Sequence, residues 1–295
     1  MRKQFVETLT DIIKTDNSTT LLLGDIGIYG FSELMNSYPD RVFNIGILEQ
    51  ATIGVAAGMS IQNLIPTVHT IAPFIIERAL EQLKIDFGYQ KLKGNFVSVG
   101  ASYDYASLGP THHCPGDAEI ISSIPGFNIF SPGNAKEFNE LFNHFYNKEY
   151  PNYFRLSELE HSFNINPKPG KGSLIKRGKE GLVVSIGNML ASTKEIADEI
   201  DVSHIYINSI IPLDIELILN ELKITNTKKI IFVEPFYIGT VSKIFLSYVD
   251  NLLVQICNIG IPRKFIDKYG KREEVDSYFG LDQKGIEKKI KDALK

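Results

Sequence analysis

Three short stretches of this chain combine residue types that do chemistry. In Asn44-Ile45-Gly46-Ile47-Leu48-Glu49-Gln50, an apolar run gives way to a helical pattern and sets the Glu49 carboxylate in the helix's first turn. The plain reading is a glutamate favoured by the positive end of the helix dipole. The helix behind it argues for more. Ala51, Gly54, Ala56, Ala57, Gly58 and Ser60 leave little side-chain bulk. A glycine costs about 1 kcal/mol in a helix interior, so Gly54 and Gly58 point to close packing against another backbone. A carboxylate beside such a helix is stripped of water, which suits it to proton transfer.

The second stretch is Tyr105-Ala106-Ser107-Leu108-Gly109-Pro110-Thr111-His112-His113, on a long loop between two strands. Long loops in compact domains are often functional. Adjacent histidines project in different directions, so at most one of His112 and His113 faces a given pocket. Cys114 follows them, but adjacent His-His-Cys is not a metal-ligand spacing, and no metal ligand is expected here. The third stretch opens Pro73-Phe74-Ile75-Ile76-Glu77-Arg78. Phe74, at the start of a helix, is placed either for the core or for stacking on a flat heterocycle.

The elements that must hold these groups alternate between strand and helix. Before residue 164 the pattern predicts a helix over 4–15, strands over 20–23 and 42–45, a helix over 46–62, a strand over 66–69, one long helix over 73–89, and strands over 95–100 and 127–130. Residues 164–181 are rich in Pro, Gly and Lys and read as a linker between domains. Beyond it, strands over 181–186, 205–207, 229–233 and 252–256 alternate with helices over 193–198, 214–222 and 240–247. The expectation is two tandem α/β domains, residues 1–170 and 171–295, each a parallel sheet covered on both faces. In such sheets ligands collect at the carboxyl ends of strands, where Gly24-Asp25, the turn before Glu49 and the loop carrying His112 all lie.

Composition narrows the function classes. The 295 residues are 43% hydrophobic and 22% charged, as in a globular protein with a real core. A net charge of −4 leaves no basic footprint for nucleic acid or an anionic membrane surface. No apolar run reaches the ~20 residues needed to span a bilayer, and the acidic residues of the first helix do not suit a secretory leader. Two distant cysteines, Cys114 and Cys257, point to a reducing cytoplasm. There is no GxGxxG after the first strand, no GxxxxGK[ST] and no GxSxG, so nucleotide-binding and serine-hydrolase readings have no support.

Taken together and in order, these segments resemble the transketolase family. Gly24-Asp25, Pro39-Asp40-Arg41 and Phe43 to Gln50 resemble the opening of its pyrimidine-binding domain. Gly109-Pro110-Thr111-His112-His113, Asp117 and Ile124-Pro125-Gly126 resemble its substrate loop. Ile210-Ile211-Pro212-Leu213-Asp214, Glu234 and Gly260-Ile261-Pro262 resemble its Rossmann-like C-terminal domain. The resemblance implies thiamine diphosphate as cofactor. It makes Glu49 the residue that hydrogen-bonds the aminopyrimidine ring and drives activation of the thiazolium carbon. It sets Phe74 against that ring, Asp25 near the cofactor, and His112, with His113, in the substrate channel.

The family's diphosphate domain, with its Gly-Asp-Gly motif, has no counterpart here. The resemblance therefore implies a second chain that supplies it and holds most of the Mg²⁺ coordination, in an α2β2 assembly. Two departures bear on substrate. Leu108 stands where relatives carry an acid before Gly-Pro-Thr-His. Glu158 stands where they carry an arginine for a sugar phosphate, with Arg155 three residues away as a substitute. A carboxylate facing a phosphate costs binding. The implied reaction is transfer of a two-carbon ketol unit between sugars. Alternatives are a deoxyxylulose-phosphate-synthase-like enzyme, the β subunit of a 2-oxo-acid dehydrogenase, and a non-catalytic paralogue.

Overall fold

Twelve strands form two sheets in a computed structural model that describes residues 1–165, 167–267 and 269–295. The strands are β1 (Thr19–Leu23), β2 (Val42–Asn44), β3 (Ile65–Ile71), β4 (Asn95–Val99), β5 (Asn128–Phe130), β6 (Asn152–Arg155), β7 (Ser173–Lys176), β8 (Leu182–Ile186), β9 (Ser203–Ile207), β10 (Ser209–Ile211), β11 (Lys229–Tyr237) and β12 (Gln255–Ile261). The first sheet runs β10-β5-β6-β4-β3-β1-β2 and the second β12-β11-β8-β9-β7. Pairing is parallel except at two edges, where β10 lies antiparallel to β5 and β7 antiparallel to β9. Every residue of β1, β3, β4, β6, β8 and β9 is buried, as expected of sheets covered on both faces. The fold is α/β with two parallel-dominated sheets.

The order β4-β3-β1-β2 reverses direction between β1 and β3, which is the place where a doubly wound sheet opens a crevice. Helix α1 (Arg2–Thr15) precedes β1, α2 (Ile28–Ser37) follows it, and α3 (Glu49–Ile61) leads from β2 back to β3. After β3 comes α4 (Ala72–Ile76).

The long helix expected over 73–89 is broken. Helix α4 stops at Ile76, Ala79 leaves helical geometry at φ −111° and ψ 22°, and the chain resumes as Leu80–Gln82 and a π-helical stretch, Leu83–Tyr89. Both Glu77 N and Arg78 N donate to the Pro73 carbonyl, so the break is stitched by a shared acceptor. It turns Ile75, Ile76, Ala79, Leu83 and Phe87 into the core while Glu77 and Arg78 leave it. Wide turns of this kind are frequent at functional sites. Nothing in local propensity marks the break, because the residues around it, from Glu77 to Lys84, are all good helix formers.

Two further differences concern organisation. The stretch read as linker contains β7, an edge strand on the second sheet. Strand β10 belongs to the chain beyond residue 170 but joins the first sheet, so the two sheets are not separated cleanly at that point. One apolar core continues from Ile53, Phe96 and Ile121 under the first sheet to Val184, Phe232 and Phe245 of the second. The helix Ala135–Phe145 is not among the expected elements, although Phe138, Leu141, Phe142 and Phe145 fall at helical spacing; it starts at Asn134, whose side chain accepts from Glu137 N. The strand expected over 252–256 begins later, at Gln255.

Candidate active site

Four neighbouring strand ends deliver the side chains singled out by the sequence. After β2, Gly46 takes φ +82°, a left-handed turn that suits glycine, although a Cβ there would meet nothing within 4 Å. The turn lets Leu48 N donate to Gly46 O, and α3 starts at once with Glu49. After β1, Gly24 N donates to His69 O of β3, and Asp25 takes φ +66°. Asn44 bridges the two loops. Its side-chain carbonyl accepts from Asp25 N at 3.1 Å and Gly46 N at 3.2 Å, and its amide donates to Asp25 Oδ1 at 3.1 Å. Asp25 is exposed and fixed in place by this strap. Strand β3 runs into α4 and sets Phe74 at the same edge, and the loop after β4 brings in His112.

Glu49, Phe74 and His112 meet through one more residue, Arg78. Its Nη1 donates to Glu49 Oε1 at 3.1 Å, and its guanidinium carbon lies 3.7 Å from the centre of the Phe74 ring. The His112 ring meets Phe74 edge-on, with centroids 5.2 Å apart and planes at 65°. Its Nδ1 is 3.0 Å from Thr111 Oγ1, and the centre of the Tyr105 ring is 6.4 Å from its own. Glu49 is 5% exposed. A buried carboxylate held through a single side-chain contact, beside an aromatic face open enough to carry a flat cation, can accept hydrogen bonds from a flat N–H-bearing heterocycle stacked on that face. The arrangement therefore fits an aminopyrimidine ring.

The two histidines separate. His112 is half-buried at the crevice, whereas His113 is buried and turns to a cavity of about 140 Å³ shared with Glu77, Tyr237 and Lys264. Burial lowers its pKa below the ordinary histidine range. Arg155, expected to meet substrate, lies elsewhere. It is 1% exposed, its Nε donates to Asp117 Oδ2 at 2.6 Å, and its Nη2 reaches Ser102 Oγ and the Pro235 carbonyl. A guanidinium committed this way ties β6 to β11 and is not presented to a ligand; the expectation for Arg155 is corrected on that ground.

Sequence reasoning missed three contributors, Arg78, Arg2 and Lys3. Arg78 stands four residues after Phe74, the spacing at which helical side chains meet, and that was the available signal. Arg2 and Lys3 line a cavity of about 280 Å³ with Gly100, Tyr105, Ser157 and Glu158. Nothing in the first helix's pattern distinguishes them from solvated charges. Leu108 is 52% exposed beside the loop's turn. Among the described residues, the glycine face of α3 finds no close backbone. A Cβ on Gly54 or Gly58 would meet nothing within 4 Å, and Ile47, Leu48, Val55 and Ile61 are exposed on the same side. Cys114 and Cys257 are free. Among the described residues, no group of three or more His, Cys, Asp or Glu side chains is placed to hold a metal ion, and no helix is long and apolar enough to cross a membrane.

Residues 1–162 match the family described as transketolase, pyrimidine binding domain. The chain is 31% identical over 295 residues to an uncharacterised 33.6 kDa protein of the fasciation locus of Rhodococcoides fascians, covering 98% of this chain and 93% of that one. It is 29% identical over 264 residues to a subunit of the apulose-4-phosphate transketolase of Actinobacillus succinogenes, covering 85% and 84%. Against the 1-deoxy-D-xylulose-5-phosphate synthase of Baumannia cicadellinicola it is 28% identical, but 90% of this chain corresponds to 43% of that one. A solved structure described as a split gene transketolase, inactive beta4 tetramer, superposes with a TM-score of 0.85 at 24% identity, over 99% of this chain and 97% of that one.

Proposed function

The chain belongs to the transketolase pyrimidine-binding family, and on that footing we propose that it is the pyrimidine-side subunit of a two-chain, thiamine-diphosphate-dependent transferase that moves a two-carbon ketol unit between sugars. The observation that carries this reading is the convergence of a buried Glu49 carboxylate, the Phe74 face and the His112 ring at the switch point of the first sheet. When bound, thiamine diphosphate supplies the carbon nucleophile for attack on a ketose carbonyl. Glu49 accepts a hydrogen bond from the ring and holds or moves the proton that its activation requires. Phe74 fixes the ring's plane. Asp25, strapped to Asn44, fixes the loop that borders it. His112, oriented by Thr111, faces the donor's oxygens and can give or take a proton there.

The remaining half of the site falls to a partner. The chain spans most of the length of a relative named as a subunit, yet under half of a single-chain synthase. These facts support an N-terminal transketolase subunit carrying the diphosphate domain and Mg²⁺. The exposed apolar face of α3 supports self-association alongside it, in an α2β2 assembly. With both cysteines free, the assembly is suited to the cytoplasm.

For the substrate, Arg2 and Lys3 share their cavity with Glu158, and Tyr105 connects that cavity to His112. A mixed-charge wall suits a hydroxyl-rich ketose end better than a phosphate dianion. The test is co-expression with the candidate partner and a thiamine-diphosphate-dependent screen over ketoses, their phosphates and pyruvate. The expected result is ketol transfer with little preference for the phosphorylated donor. Turnover of pyruvate alone would move the chain to the synthase reading, and a strong preference for phosphorylated ketose would overturn the substrate assignment.

A further inference from the structure

The Arg78 guanidinium makes the same two contacts that the proposed function gives to the cofactor's ring. It lies flat over Phe74 at 3.7 Å and donates an N–H to Glu49 Oε1 at 3.1 Å. A guanidinium is planar, cationic, rich in N–H groups and weakly hydrated, so it stacks on an aromatic face much as a protonated heterocycle does. Both cannot use the same face and the same carboxylate oxygen at once. From this we infer that Arg78 is a positioning residue that keeps the ring's place on Phe74 and Glu49 until the cofactor displaces it. The inference rests on the reading that Glu49 and Phe74 receive the cofactor.

Three features make the exchange practicable. The Glu49 side chain is 6% exposed, and an uncompensated buried carboxylate would be costly, so a counter-charge is needed whenever the ring is absent. The Arg78 side chain is 44% exposed, so it can return to water without being buried elsewhere. Arg78 also stands in the break between α4 and Leu80–Gln82, where the chain is outside a regular helical ladder.

Competition of this kind lowers apparent cofactor affinity by the fraction of molecules in which the face is free. The experiment is calorimetric titration of thiamine diphosphate with Mg²⁺ into the assembled two-chain protein, paired with stopped-flow measurement of its association rate. Arg78→Ala is expected to bind the cofactor about tenfold more tightly and to associate faster, because stacking and ion pairing no longer have to be broken first. Arg78→Lys keeps the charge but loses the plane, and should fall between the two; it also serves if the alanine variant does not assemble. Unchanged or weaker binding in both Arg78 variants, while Glu49→Gln and Phe74→Ala still weaken it, would overturn the inference and leave the functional reading standing. Cofactor binding indifferent to Glu49→Gln and Phe74→Ala would instead overturn the reading beneath it.

Discussion

Each half of the molecule carries a buried glutamate toward the carboxyl end of a strand, and the two are held in opposite ways. Glu234, in β11, is fully buried, and both of its oxygens are taken by backbone: Gly239 N donates to one and Val241 N to the other at 2.8 Å, at the start of the helix Thr240–Leu246. Among the described residues, the Glu49 carboxylate, after β2, is paired with the half-exposed side chain of Arg78. A carboxyl group satisfied by main-chain donors is part of the scaffold, since releasing it means undoing a helix start. One satisfied by a mobile side chain can change partners. Under the proposed function, the same residue type at the same kind of position serves structure in one sheet and chemistry in the other.

The sharpest way to break this contrast is to remove each acid. Glu49→Gln should cut turnover by about 10³-fold in the assembled enzyme, from the loss of proton transfer, while changing unfolding free energy by less than about 1 kcal/mol. Near-normal turnover with the partner present would refute the role given to Glu49. Glu234→Ala should do the reverse. Two buried backbone donors left without an acceptor predict about 3 kcal/mol of destabilisation in denaturant unfolding, with kcat per folded molecule little changed. If Glu234→Ala unfolds no more readily than the parent, the scaffold role is wrong.

A third, smaller effect sharpens the comparison through pH. Both sheets bury a neutral histidine. Burial brings His69 of β3 down to about 4 and His204 of β9 to about 3, from an ordinary 6.5. The unfolded chain therefore binds protons that the native one refuses. This stabilisation is complete above pH 6.5 and is lost as pH falls from 6.5 toward 4. His69 alone should contribute about 2 kcal/mol of the loss between pH 7 and pH 5. Its ring Nδ1 lies 2.8 Å from Val97 O, a contact that an asparagine amide can restore. Unfolding of His69→Asn at the two pH values checks it: the variant should show a flatter acid limb, and an equally steep one would mean the histidine is charged in the native state.

Much of the site was legible because its residues belong to short motifs with local logic. Glu49 follows a strand, a glycine turn and a helix start. Phe74 opens a helix, and His112 sits on a long loop. What the sequence could not supply was anything decided by tertiary contact. The break after α4, and with it the placing of Arg78, depends on the shared Pro73 carbonyl and on which side chains the core accepts. Arg155 looked available because it is an arginine near the expected substrate strand; only the fold reveals Asp117 and Pro235 as its partners. The α/β class and two-sheet plan followed from apolar runs alternating with helical patterns. β10 escaped because it follows β9 after a single residue, so no turn signal separates the two in the sequence.

That short strand has a consequence for how the chain can be divided. β10 covers the outer edge of β5, so the first sheet is finished by residues contributed from beyond its own stretch of sequence. A gene cut near residue 170 would leave β5 with unpaired backbone donors and acceptors, the kind of bare edge that invites strands from other molecules. The two halves resemble separable modules along the sequence, but the first sheet is complete only with a strand from the second.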